Sequence, residues 1–516
     1  MSMRVLISSC VFAVLAVEAG EARALDAEVT SDTDAQFYDA RSPTGLTVLT
    51  QRRLTTTLGV GAYNILENKA FDPSAPDLSF RARIRYDADY GVPGGVIDPT
   101  NRSLFVPNAT QGLVDLMYAY VEGRRFFKGL LGFKLGRQYV TDVLGWWAFD
   151  GGEVSVTTPY YFKVEAYGGL EERGGFPLST SRFESDGVWR GDRSNMDGNL
   201  YTSFQPAAIA PAYGVALESA GFSWLHGRLT YRRVYDTGDS NVSQFYSGLF
   251  APALYSGARI SSEKLGYAVD ANLPKLGGVK AGIVYDLYLA EVTSAYASLD
   301  AYLGKKVTVS ADYDYYVPSF DADSIWNFFA AEPMNDVGVR ANVDFDRNLS
   351  VSASQQFRIF QVQTSPLDPF AGAQTNGQSY SPYATVTSPP SEVFPTNGHP
   401  FDDMTNVSAR WRDGLTTALL RGSGNFGDEG TRVGADLSGQ HLFENRIVAS
   451  LRTGLWNWQD KLQPDRNATS FQYVVGLGYR FAPRSQALVE WEHDINDLVG
   501  QRFRVMAWLA FAVGKQ

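Results

Sequence analysis

Between Leu78 and Tyr90 apolar and polar positions alternate without a break. Leu78, Phe80, Ala82, Ile84, Tyr86, Ala88 and Tyr90 share one parity, and Ser79, Arg81, Arg83, Arg85, Asp87 and Asp89 share the other. Successive side chains of a strand point to opposite faces, so this segment predicts a strand with one apolar and one charged wall. The pattern recurs. Val279 to Leu289, Ala295 to Leu303, Val307 to Tyr315, Val337 to Phe345, Phe471 to Phe481 and Phe503 to Val513 each carry an apolar parity opposed by a more polar one that includes Gly, Ser, Asp, Lys or Arg. Most of the segments are long enough for a tilted membrane-spanning strand of about 9–11 residues. Short links such as Arg412-Asp413-Gly414, Phe443-Glu444-Asn445 and Ala482-Pro483-Arg484 alternate with long polar stretches, above all Glu172–Ala210 and Thr364–Asp402. Short turns on one rim and long loops on the other belong to a transmembrane antiparallel up-and-down β-barrel. The expected fold is all-β, with roughly 18–20 strands.

The N-terminus fits export. Arg4, an apolar run from Val5 to Val17 and Ala22-Arg23-Ala24 form a charged region, a short hydrophobic region and a cleavage site. Residues 1–24 are therefore expected to be a signal peptide, 25–43 a short polar periplasmic extension, and 44–516 the barrel. The apolar run is too short for a spanning helix of about 20 residues. Cys10, inside the signal, is the one cysteine. The expected location is the outer membrane of a Gram-negative bacterium, with outer-membrane lipid as the surrounding partner.

Composition narrows the function. Tyr 28, Phe 31, Trp 10 and Gly 49 suit a lipid-facing band with aromatic girdles. A net charge of -11 argues against nucleic acid as a partner. His226, His399, His441 and His493 show no metal-ligand spacing, and no thiolate follows the signal. No metal or other cofactor is expected. His493-Asp494 beside Glu490 and Glu492 can be drawn as the acid/base cluster of a membrane hydrolase, but no nucleophile stands at a recognisable spacing, so the chain reads as a non-enzyme.

Arg81, Arg83 and Arg85 are the sharpest candidates. Their side chains repeat about every 7 Å along one wall, which makes either a cationic track for anionic solutes or ordinary charges paired across neighbouring strands. Asp87 and Asp89 continue that face. Arg228, Arg232, Arg340, Arg410, Arg412, Arg452, Arg502 and Arg504 share the inward parity, while Asp286, Asp300, Asp312, Asp314 and Asp344 populate the middle of the chain. The expectation is a basic wall near both chain ends facing a more acidic one. Trp146, Trp147, Trp456, Trp458 and Trp491 read as girdle anchors at the membrane interface.

Leu131 to Gly152 reads LGFKLGRQYVTDVLGWWAFDGG. Gly-Arg-Gln ending a strand, a Trp-bearing link and Phe-Asp-Gly opening the next strand resemble bacterial alginate-export-type and related porin-like outer-membrane barrels. The resemblance implies a conduit for a secreted acidic polysaccharide, with Arg137 and Asp150 as channel-wall or loop-anchoring residues. By parity, Arg137 sides with Leu131, Phe133 and Leu135 and faces lipid unless Gly136 marks a bulge. Three functions follow as expectations: export of a polysaccharide, passive diffusion of nutrients, or a non-conducting scaffold in an envelope complex. The corresponding partners are a polar or polysaccharide solute and periplasmic export or envelope-complex proteins.

Overall fold

The computed structural model describes residues 26–41, 47–66, 75–89, 92–93, 113–172, 210–219, 221–237, 258–317, 333–360, 401–427, 430–460, 467–498 and 500–515. The signal segment lies outside them. One antiparallel sheet accounts for nearly all of these residues. Of its twenty-three strands, Val92–Pro93 is only two residues long, which leaves twenty-two long strands instead of the roughly 18–20 expected from pattern.

The first eleven strands are β1 (Asp26–Arg41), β2 (Thr47–Tyr63), β3 (Asp77–Asp89), β4 (Val92–Pro93), β5 (Leu113–Arg125), β6 (Leu131–Asp142), β7 (Gly145–Thr157), β8 (Phe162–Glu171), β9 (Pro211–Ser219), β10 (Leu225–Asp236) and β11 (Arg259–Leu273). Each long strand pairs with its sequence neighbours, and the last, Gly500–Lys515, returns to β1 from Ala27↔Lys515 to Tyr38↔Arg504. The sheet closes and leaves no edge. This corrects the expected extension: residues 26–41 are a wall strand, paired with β2 on one side and the final strand on the other. Its acidic residues hid it, because Glu28, Asp32 and Asp34 share one parity while the other carries the weakly apolar set Val29, Ala35 and Phe37.

Parity sorts the wall as the alternation predicts. Ile84, Val339, Leu451, Val475 and Leu477 face outward and are exposed, whereas Ser79, Arg85, Asp286 and Glu492 face inward and are buried. Exposed apolar side chains on every long strand form the belt a bilayer covers. Turns 304–306, 414–415, 444–446 and 483–484 lie on the rim that carries both chain ends, and the strand ends Glu171, Pro211, Phe360 and Phe401 lie on the opposite rim. Among the described residues no helix is long and apolar enough to cross a membrane.

Candidate lumen constriction

Three strands carry glycine at one height. Gly136 of β6 pairs with Gly151 of β7, and Gly151 with Gly169 of β8. Gly136 has φ +124°, and a Cβ there would overlap the Ala119 carbonyl oxygen. A Cβ on Gly151 would overlap the Gly168 oxygen, and one on Gly169 the Asp150 oxygen. Only glycine allows so close a backbone approach. Below this seam β6 belongs to the wall, paired with β5 over Ala119↔Arg137 to Gly123↔Phe133. Above it that pairing stops, while β6 and β7 stay paired to Asp142↔Gly145. The upper half of the β6–β7 hairpin thus leaves the wall and lies inside the barrel.

Its core is aromatic. Phe149 is fully buried and stacks on Trp147 with ring centroids 4.3 Å apart. Tyr167 of β8 packs against both at 5.6 and 5.9 Å, and Val140, Ala210, Ala212 and Val234 complete the cluster. Trp147 Nε1 donates to Glu171 Oε1 at 2.8 Å. Gln138, 1% exposed, donates through Nε2 to the Gly151 carbonyl at 3.1 Å. At the tip, Asp142 Oδ1 accepts the Leu144 N–H at 2.9 Å. Arg232 of β10 donates to the Leu144 carbonyl at 3.1 Å and lies over the Trp147 ring at 5.2 Å. A Cβ on Gly266 of β11 would stand 2.5 Å from Val143 Cγ1. The hairpin therefore covers the inner face of β8 to β11 and narrows the lumen from that side.

Arg137 pins the point of departure. It keeps the outward parity of Leu135 and Tyr139, as its position in the sequence implies, because Gly136 bends the strand without reversing its faces. It is not lipid-bound. Its Nε and Nη2 donate to the two Asp150 carboxylate oxygens at 2.7 and 2.8 Å, and its Nη1 donates to Glu172 Oε1 at 2.7 Å and to the Leu116 carbonyl of β5 at 3.0 Å. One guanidinium thus ties β5, β7 and the end of β8 together where β6 turns inward. The Gly-Arg-Gln and Phe-Asp-Gly motifs are accounted for by this hinge.

The arginine column of β3 faces the lumen. Arg83 is paired with Asp32 at 2.5 Å and Thr57 at 2.7 Å. Arg81 lies over the Tyr63 ring at 5.2 Å, and Arg85 is 4% exposed. The side chains of Asp87 and Asp89 lie outside the described residues.

Pairing across strands continues at other inward cations. Arg228 bridges Glu165 and Glu218 at 2.5 and 2.7 Å. Arg452 meets Glu490 at 2.7 Å, Arg502 meets Asp494 at 2.7 Å and Arg504 meets Glu492 at 2.6 Å. The expected basic wall at the chain ends is therefore largely compensated. Among the described residues, Arg340, Arg410 and Arg412 face inward without an acidic partner. Arg340 stands opposite Ser310, which donates to Asp300 at 2.5 Å, while Arg410 stands between Ser350 and Leu419.

Three tryptophans overturn the girdle assignment. Trp147 lies in the hairpin core. Trp456 lies flat on Gly434 inside the barrel, under Arg432 at 4.6 Å, and Trp458 shares its inward parity. Trp456 fits inside because Gly434 on the neighbouring strand leaves room. Trp491 does face outward, stacked on Phe503, and Trp146 lies on the outer face of the hairpin against Tyr139 at 6.0 Å. The acid/base cluster is split by the same alternation: His493 points outward against Tyr473 and Phe503, while Glu490, Glu492 and Asp494 point inward. No group of metal-binding side chains occurs among the described residues.

No family model and no curated protein matches the chain. Among solved structures it is similar to the outer membrane protein OpdK from Pseudomonas aeruginosa, at 8% identity over 96% of this chain and 100% of that one, with a TM-score of 0.41. It is also similar to OccAB4 from Acinetobacter baumannii, at 7% identity over 95% and 98%, TM-score 0.41. OccD3 (OpdP) from Pseudomonas aeruginosa matches at 8% identity over 96% and 93%, TM-score 0.39. The closed barrel of this chain rests on its own strand pairing, independently of these likenesses.

Proposed function

We propose that the protein is an outer-membrane diffusion channel for small polar solutes, with the β6–β7 hairpin as its internal constriction. The observation that carries this reading is the combination of ring closure and an inward wall of charged and hydroxylated residues. Barrel diameter grows with strand number, and barrels of about 16–18 strands already leave an aqueous channel. With twenty-two strands, the hairpin is the only described segment that leaves the wall for the lumen, and it lies against one side of it. Neutralised ion pairs around the rest of the wall give a wet surface with modest ion preference.

Export of an acidic polysaccharide remains the reading suggested by the motif around Arg137 and Asp150. Those two residues sit at the hinge on the outer face, so the motif supports a hairpin device more directly than an acidic polymer as cargo. Liposome swelling with sugars and amino acids of graded size tests the channel reading. Uptake that falls off steeply with solute size supports a diffusion channel. Equal exclusion of the smallest solutes supports a scaffold.

A further inference from the structure

Away from the hairpin, the inner wall carries a furrow of about 540 Å³. Gly478, an inward position of the strand Ala468–Ala482, lines it without a side chain. Trp508 lines one side and Arg410 the other. Between them stand Gln440, Gln486 and the Arg452–Glu490 pair, closed at 2.7 Å. The volume falls within the range of about 300–1,000 Å³ typical of small-molecule sites.

Resting on the channel reading above, we infer that this furrow is a binding station for saccharides of one or two rings. A pyranose has an apolar C–H face and a rim of hydroxyls that both donate and accept. An inward indole supplies an apolar face without needing a charged ligand. Amides offer an acceptor and two donors each, and a fixed guanidinium–carboxylate pair offers both kinds side by side. The pair also cancels its own charge, so the groups left to meet a ligand are mostly neutral. An acidic ligand would gain from Arg410 but would meet the Glu490 carboxylate in the same furrow.

Saturation-transfer NMR on the detergent-solubilised, folded barrel with cellobiose as probe tests the station without requiring conduction. Transfer to the ring C–H protons is expected for the native protein and for Trp508→Phe. Trp508→Ala should raise the apparent dissociation constant about tenfold, a loss of one stacked contact. The inference is overturned if the native barrel shows no transfer, if Trp508→Ala transfers as well as the native protein, or if only gluconate competes and Arg410→Gln abolishes its binding. Planar-bilayer recordings separate the two claims: saccharide binding without ion current would defeat the channel reading and leave the station standing.

Discussion

Arg137 and Asp150 form a two-point ion pair, 2.7 and 2.8 Å, at the height where β6 parts from β5. Charge-assisted, bidentate pairs are both stronger and more directional than single hydrogen bonds. This one also joins Glu172 and a backbone carbonyl of β5, so it fixes the angle at which the hairpin enters the lumen. Arg137→Gln and Asp150→Asn should each destabilise the barrel by about 1–3 kcal/mol. Their effects should be non-additive by about 1 kcal/mol. Unfolding in detergent by a double-mutant cycle measures this, and strict additivity would show that the two side chains act independently.

The glycine seam gives a sharper contrast. Gly136→Ala forces a left-handed φ on a residue with a Cβ and overlaps it with the Ala119 carbonyl, at a cost of about 1–3 kcal/mol from strain alone. Gly152→Ala meets the Leu135 Cδ2 at 3.0 Å, a side chain that can give way, and the Lys134 carbonyl oxygen at an ordinary 3.8 Å. Thermal unfolding should fall clearly for the first and little for the second. Equal losses would contradict the seam.

Docking of the hairpin tip is open to a direct chemical test. Val143→Cys with Gly266→Cys places thiols across the contact between the tip and β11, in a chain whose native Cys10 precedes the described residues. Mild oxidation should join them in the folded barrel. Failure to cross-link, with both thiols reactive to a small alkylating reagent, would mean that the tip does not rest there.

Ion preference should depend on which charges are removed. Deleting both members of a pair, Arg504→Gln with Glu492→Gln, leaves the net lumen charge unchanged and should barely move the reversal potential in a salt gradient. Arg340→Gln with Arg410→Gln removes two cations that lack acidic partners and should shift selectivity toward cations. The reverse ranking would show that the arginines near the chain ends govern permeation.

Asp346, in the turn after the strand Met334–Asp344, accepts the Asn348 and Leu349 N–H groups at 2.7 and 2.8 Å. These bonds hold its carboxyl below the usual carboxylate range. Because the folded value is the lower one, the turn is fully supported above the ordinary carboxylate pKa. That support is lost as pH falls through the depressed value. The protection of the Asn348 and Leu349 amides, measured as exchange relative to the intrinsic rate at each pH, should fall on acidification, and Asp346→Asn should flatten that dependence.

Much of this was legible in the chain, and the exceptions share physical causes. Strict alternation at Leu78–Tyr90 gave β3 and the inward column of Arg81, Arg83 and Arg85. It could not say that Asp32, fifty-one residues from Arg83, would take up one of these charges, because pairing across strands depends on register. β1 escaped notice because its apolar face is weak and its lumen face acidic. Trp147 and Trp456 read as interfacial because large aromatics favour that zone, yet Trp147 is carried inside by the hairpin and Gly434 on the neighbouring strand makes room for Trp456. The hinge did leave a mark: Gly136, Gly151-Gly152 and Gly168-Gly169 recur at spacings that bring them to one height once the strands pair.

Single-channel recording of the purified protein in planar bilayers, native and with residues 138–148 replaced by a short Gly-Ser link, decides whether the barrel conducts and whether the hairpin limits the current. Discrete conducting steps are expected for the native barrel, and larger steps once the hairpin is removed. Absence of current in both proteins, with the barrel shown to be folded and inserted, would contradict the channel reading.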